Sequence, residues 1–222
     1  MFHGLSAFPL TPLREGKFDE QAFVQLLRPL VDAGVDSLGI LGSTGSYAYL
    51  TPEERTHITR CAVAHADNIP VSVSIGALRL DDILRLADEA QSAGARGVLL
   101  APVSYQRLTA EEVFTLYETV THRISVPLCI YDNPATTGFE FNDDLLYAVA
   151  ALPNVKSVKL GRTPDNIATC VPVFLKTSPW ASVATGGRRQ PAGRVRCLVF
   201  GYRRALSADG TGDCTSQRHR SL

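Results

Sequence analysis

Through the first 166 residues, short apolar runs give way to polar turns and then to amphipathic stretches with apolar positions three and four apart. Each repeat of this pattern predicts one βα unit. Leu5 to Leu10 predicts the first strand, and Phe23, Leu26, Leu27 and Leu30 line one face of a helix from about Asp19 to Ala33 that Gly34 stops. Asp36 to Leu41 predicts the second strand. Thr51-Pro52-Glu53-Glu54 then opens a helix with an N-cap, a proline in the first turn and a capping-box glutamate. Val71 to Ile75 and Gly97 to Leu100 predict strands three and four, separated by a helix from about Asp81 to Ala93. Thr109 and Glu112 form a second capping box, for a helix reaching about His122. Pro127 to Tyr131 predicts the fifth strand, Asn142 caps a helix to Ala150, and Val155 to Lys159 predicts the sixth.

Spacings of about 25 to 35 residues between strands suit right-handed parallel crossovers. A doubly wound sheet would call for a glycine-rich phosphate loop after the first strand, and Phe8-Pro9-Leu10-Thr11-Pro12-Leu13 contains no glycine. The expected fold is therefore α/β, a (β/α)8-type (TIM) barrel. With 222 residues the chain falls short of the roughly 250 typical of that barrel, so about six βα units and an irregular tail are expected. Active sites on such folds lie at the C-terminal ends of the strands, and candidate chemistry is sought there.

Net charge is zero, yet residues 1–166 hold 13 basic and 20 acidic residues while 167–222 hold 9 and 2. This divides the chain into a barrel portion, 1–166, and an atypical Arg-rich tail, 167–222. One reading makes the tail a basic arm for nucleic acid. The other, favoured because the arginines lack helical spacing and an RNA-binding signature, makes it a disordered or frame-shifted, non-native end. No apolar run approaches the roughly 20 residues of a membrane span, and Met1-Phe2-His3-Gly4 lacks a basic n-region, so a cytoplasmic protein without membrane partners is expected. Five widely spaced cysteines contain no C-x-x-C pair, and neither a metal site nor a structural disulfide is expected.

Three strand ends carry candidate chemistry. Gly42-Ser43-Thr44-Gly45-Ser46 brings main-chain N–H groups and hydroxyls together and can hold a carboxylate, or it is a plain βα turn. Tyr131, before Asp132-Asn133-Pro134, can relay a proton, or it is a packing residue with its hydroxyl in solvent. Only four lysines occur, and Val155-Lys156-Ser157-Val158-Lys159 sets two of them on opposite faces of one strand. Lys159, nearer the catalytic rim, is the candidate to face the barrel. There its amine either pairs with a carboxylate or, with a lowered pKa, attacks a ketone to form an imine.

Together these motifs resemble the dihydrodipicolinate synthase and N-acetylneuraminate lyase family of class I, Schiff-base-forming aldolases. The resemblance covers about residues 4–166: Leu10-Thr11-Pro12, Gly42-Ser43-Thr44-Gly45, Leu50-Thr51-Pro52-Glu53-Glu54-Arg55, Tyr131-Asp132-Asn133-Pro134 and Val158-Lys159. It implies a β/α barrel in a homo-oligomer, dimer or tetramer, acting without a cofactor on pyruvate or another 2-oxo acid. By resemblance Lys159 is the Schiff-base lysine and Tyr131 the proton relay. Ser43, Thr44 and Gly45 bind the substrate carboxylate, with Thr44 also counted as catalytic, and Tyr105 is matched to a tyrosine that reaches across a dimer interface. Thr136, counted with Tyr105 among the substrate-binding residues, stands where the synthase has an arginine for its second substrate, which argues against dihydrodipicolinate synthesis, and Ser46 replaces a common glutamate. The family continues through two further strands, which the tail does not resemble. Either the tail covers the bare edges or the protein folds poorly; the strand-like stretch Val195 to Phe200 can attempt the cover, against the cost of burying Arg194, Arg196, Arg203 and Arg204 unpaired. The altered C-terminus sets two outcomes beside each other: a lyase or aldolase, with activity at risk, and a catalytically inactive small-carboxylate-binding protein of the same fold.

Overall fold

Every ladder of the main sheet is parallel, and neighbouring strands follow chain order. The computed structural model describes residues 4–160 together with the strands at 182–185 and 196–199. β1 (Ser6–Ala7) leads to a small antiparallel hairpin, β2 (Leu13–Arg14) with β3 (Lys17–Phe18), and then to α1 (Glu20–Asp32). β4 (Ser37–Ile40), a 3₁₀ turn at Tyr47–Tyr49 and α2 (Pro52–Ala64) follow, then β5 (Val71–Ser74) with α3 (Leu80–Ser92). β6 (Gly97–Leu100) precedes α4 (Ala110–Arg123), β7 (Leu128–Asp132) precedes α5 (Pro134–Thr137) and α6 (Asp143–Ala150), and β8 (Val155–Leu160) closes the sixth unit. This is the expected incomplete TIM barrel.

Two short strands carry the sheet further. β9 (Ser182–Thr185) pairs with β8, and β10 (Arg196–Val199), inside the stretch expected to be strand-like, pairs with β9. The edge of β8 is thus covered, which matters because an unpaired parallel edge leaves a row of N–H and C=O groups open. The basic-arm and shifted-frame readings of 167–222 otherwise fall outside the described residues.

The helices form as their caps dictate. Thr51 accepts from the Glu54 N–H while Glu54 accepts from the Thr51 N–H, and Thr109 and Glu112 repeat the arrangement. Such caps contribute about 1 kcal/mol each. The first strand is shorter than expected: only Ser6 and Ala7 pair with β4, and Pro9, with no N–H to give, ends the ladder's reach.

Apolar side chains on the outer face of the sheet, among them Leu38, Ile40, Val73, Val98 and Ile130, pack against Phe23, Leu27, Ile58 and Tyr117 from the helices. Deeper inside the barrel, several of the inward-facing residues are small and polar. Ser37 Oγ donates to Ser6 Oγ at 2.9 Å, Ser72 Oγ donates to the Leu38 carbonyl at 3.2 Å, and Ser157 is fully buried. A second, smaller apolar cluster of Leu99, Ala101, Cys129 and Tyr131, with Phe8 against it, occupies the interior near the C-terminal ends of the strands. The polar groups of the strand ends stand above that cluster.

Candidate active site

β8 pairs with β7 in an uneven register. Leu128 faces Val155 and Cys129 faces Ser157, so Lys156 has no partner across the ladder, after which Tyr131 faces Lys159. Lys156 is exposed and Lys159 half-buried, in line with the two opposite faces read from the sequence. The Lys159 Nζ lies 4.3 Å from the centre of the Tyr131 ring and 4.9 Å from that of Phe8. Burial holds its pKa below the usual lysine value, against the neighbouring Tyr131, which favours the charged amine. Cys129 lies in the same interior and burial pushes its thiol up to about 12, which keeps it protonated and unreactive.

Tyr131 sits at the convergence of three elements. Its hydroxyl is 3.0 Å from Ser43 Oγ, accepts from Asn133 Nδ2 at 3.0 Å and accepts a longer bond from Thr136 Oγ1 at 3.4 Å. Burial alone would raise the phenol pKa. The Lys159 charge and the bonds from Ser43, Thr136 and Asn133 outweigh it and leave the pKa below the usual tyrosine value. Pro134 starts the single turn of α5, and the one hydroxyl proton of Thr136 is shared between the phenol and the nearer Asn133 carbonyl at 3.1 Å, so Asn133 Nδ2 makes the firmer tie between this turn and the phenol.

The glycine-flanked turn after β4 begins at Leu41, which adopts φ +59°, and ends at Ser46, φ +54°. Left-handed conformations are costly for such residues and are held here by two tight backbone bonds, Gly45 N–H to the Gly42 carbonyl and Ser46 N–H to the Ser43 carbonyl. Gly45 permits the close approach, because a Cβ there would meet the Leu41 backbone at 3.1 Å and Thr11 Oγ1 at 3.2 Å. The N–H groups of Ser43 and Thr44 donate to no acceptor among the described residues, and both side chains are exposed toward the open end. An anion can use these donors.

Lys159, Tyr131, Ser43 and Thr136 therefore meet, and Thr44 and Gly45 share the Ser43 turn. Ser43 supplies the hydroxyl next to Tyr131, while Thr44 makes no side-chain hydrogen bond among the described residues. Tyr105 stays apart from this group, 96% exposed on the loop after β6. Three contributors carry no site signal of their own in the sequence. Asn133 bonds the phenol and Phe8 flanks the amine. Arg55, only 3% exposed, donates from α2 to the Ser74 and Gly76 carbonyls at 2.8 and 2.9 Å and lies 5.1 Å from the Tyr47 ring. Burial lowers its pKa to about 10, so it remains a cation that fixes the end of β5. Its place within the motif that opens α2 is the one hint of this role in the sequence.

A profile of the dihydrodipicolinate synthetase family matches residues 1–188. The chain belongs to that family. Within it, the chain is 31% identical over 160 residues to 4-hydroxy-tetrahydrodipicolinate synthase of Phenylobacterium zucineum, covering 72% of this chain and 54% of that one. It is also 31% identical over 156 residues to a putative 2-dehydro-3-deoxy-D-gluconate aldolase of Escherichia coli K12, covering 69% and 51%. Among solved family structures, dihydrodipicolinate synthase of Agrobacterium tumefaciens superposes with a TM-score of 0.79 at 42% identity, over 84% of this chain and 64% of that one. The E. coli prophage protein YagE, solved in complex with pyruvate, superposes with a TM-score of 0.80 at 26% identity over the same shares. This dihydrodipicolinate synthetase family chain thus spans about half the length of the curated relatives it matches. Among its described residues no helix is long and apolar enough to cross a membrane.

Proposed function

We propose that this protein is an aldolase-type lyase that binds pyruvate or a related 2-oxo acid and activates it as an imine on Lys159. The observation that carries the reading is the contact chain from Lys159 Nζ to Tyr131 and from the Tyr131 hydroxyl to Ser43 of the anion turn. YagE, a relative of similar fold, binds pyruvate, which supports the choice of ligand.

The steps follow from the groups available. The carboxylate is held by the Ser43 and Thr44 N–H groups and hydroxyls, which leaves the adjacent carbonyl facing the amine. A neutral Lys159 amine adds to the carbonyl carbon, forming the N–C bond as the C=O π bond opens, and the proton that the nitrogen then sheds passes through Tyr131 to the oxygen. A second proton delivered by the same route releases that oxygen as water and leaves the iminium. The iminium withdraws electrons from the neighbouring carbon, whose proton is then lost to give an enamine that can bond to an aldehyde; the reverse sequence cleaves an aldol. Thr136 offers no cation where the synthase's arginine would hold a second carboxylate, which supports a partner substrate other than that of dihydrodipicolinate synthesis.

Borohydride reduction in the presence of pyruvate tests the reading. A single covalent adduct on the Lys159 peptide is expected by mass analysis. Pyruvate-dependent thermal stabilisation with no adduct on any lysine would instead identify an inactive carboxylate-binding protein and overturn the imine step.

A further inference from the structure

Phe8 takes no part in proton transfer or anion binding, yet its ring is one of the two that flank the Lys159 amine, at 4.9 Å against 4.3 Å for Tyr131. It stands just past β1, packed on the interior cluster of Leu99, Ala101, Cys129 and Tyr131. Its seat depends on a missing side chain across the sheet: a Cβ on Gly39 of β4 would lie 2.2 Å from the Phe8 ring. A Cβ on Gly42, at the start of the anion turn, would lie 3.1 Å from the same ring. Phe8 is therefore wedged between β4, the turn and the amine.

We propose that Phe8 is a positioning residue for Lys159: its ring forms a floor that keeps the amine against Tyr131 and away from water, and Gly39 is a glycine so that the ring can sit there. The inference rests on the imine reading of this site and adds to it how the nucleophile is aimed. A lysine stem has four rotatable bonds, and an amine displaced by about 1 Å from its attack geometry can lose about 10²-fold in rate. Two aromatic faces restrict that stem and still tolerate a transient positive charge, because the ring faces are the negative part of the quadrupole. They also desolvate the amine, which favours the neutral nucleophile. The titratable groups facing it among the described residues are Tyr131 and Cys129 of β7, with none at Phe8.

The test uses the full chain and initial rates of pyruvate trapping across pyruvate concentration and pH. Phe8→Ala should lower the saturated rate about 10- to 100-fold, leave half-saturation within about threefold, and move the pH midpoint upward as water reaches the amine. Phe8→Leu, which still fills the floor, should recover most of the rate. Gly39→Ala should reproduce the Phe8→Ala defect by expelling the ring, and should have little further effect in the Phe8→Ala background, where nothing remains to expel. Wild-type rate and pH dependence in Phe8→Ala would overturn the proposal, as would a Gly39→Ala defect of equal size in both backgrounds. Reductive methylation of Lys159 by formaldehyde and borohydride, followed by peptide mass, reads amine exposure without pyruvate. If the wild type traps no pyruvate but Phe8→Ala raises the pH midpoint of methylation, the imine reading falls and the positioning role stands. If the wild type traps pyruvate and Phe8→Ala leaves both pH profiles unmoved, the imine reading stands and the positioning role falls.

Discussion

Replacing Lys159 with arginine is expected to abolish borohydride trapping of pyruvate, whereas Lys156→Arg should leave it near the wild-type level. A guanidinium keeps the positive charge between the Tyr131 and Phe8 rings but stays protonated and forms no imine. Lys156 is exposed at the unpaired position of β8, away from the phenol and the turn, so its charge has no acceptor within the site. Measuring both variants together separates the chemistry from the strand assignment. Trapping that persists in Lys159→Arg and vanishes in Lys156→Arg would transfer the nucleophile to the other lysine. Trapping unchanged in both would remove the imine from this strand.

Tyr131→Phe is expected to slow imine formation and the following carbon–carbon step by about 10²- to 10⁴-fold, the usual span for a general acid–base group. The substitution preserves the ring at 4.3 Å from Lys159 and deletes only the oxygen on which Ser43, Asn133 and Thr136 converge. Both steps can be followed separately, the first as the trapping rate and the second as exchange of the pyruvate methyl protons in deuterated water. Because the aromatic packing is kept, circular dichroism and the melting temperature should change little. Exchange at the wild-type rate in the variant would take Tyr131 out of the proton path.

The helical half of each βα unit is legible in the sequence because its determinants are local. Thr51 and Glu54, or Thr109 and Glu112, lie three residues apart and make the bonds their spacing requires. The sixth strand is legible for the same kind of reason, since alternation is a short-range property, although the strand runs one residue past its expected end at Lys159, to Leu160. The β2–β3 hairpin is not: its two turn residues, Glu15 and Gly16, both have positive φ, and Glu is not the residue that ordinarily announces such a turn. Phe8 reads in the sequence only as part of an apolar strand. Its position over the amine depends on Gly39, 31 residues later, and no periodicity within either segment records that pairing. The choice of Ser43 over Thr44 as the phenol's neighbour is equally hidden, because the contact spans 88 residues and joins two separate strand ends.

The uneven register between β7 and β8 has an evolutionary consequence. One residue, Lys156, is accommodated without a partner across the ladder, and the strand resumes its pairing at Ser157 with Lys159 still beside Tyr131. The strand can therefore absorb a change in length at that single point and nowhere closer to the rim. Deleting Lys156 should yield a protein that traps pyruvate, whereas deleting Val158 would turn the Lys159 side chain to the helix-covered face and end trapping. A lineage drifting in length through this segment is free to gain or lose a residue only on the side of the strand away from its chemistry.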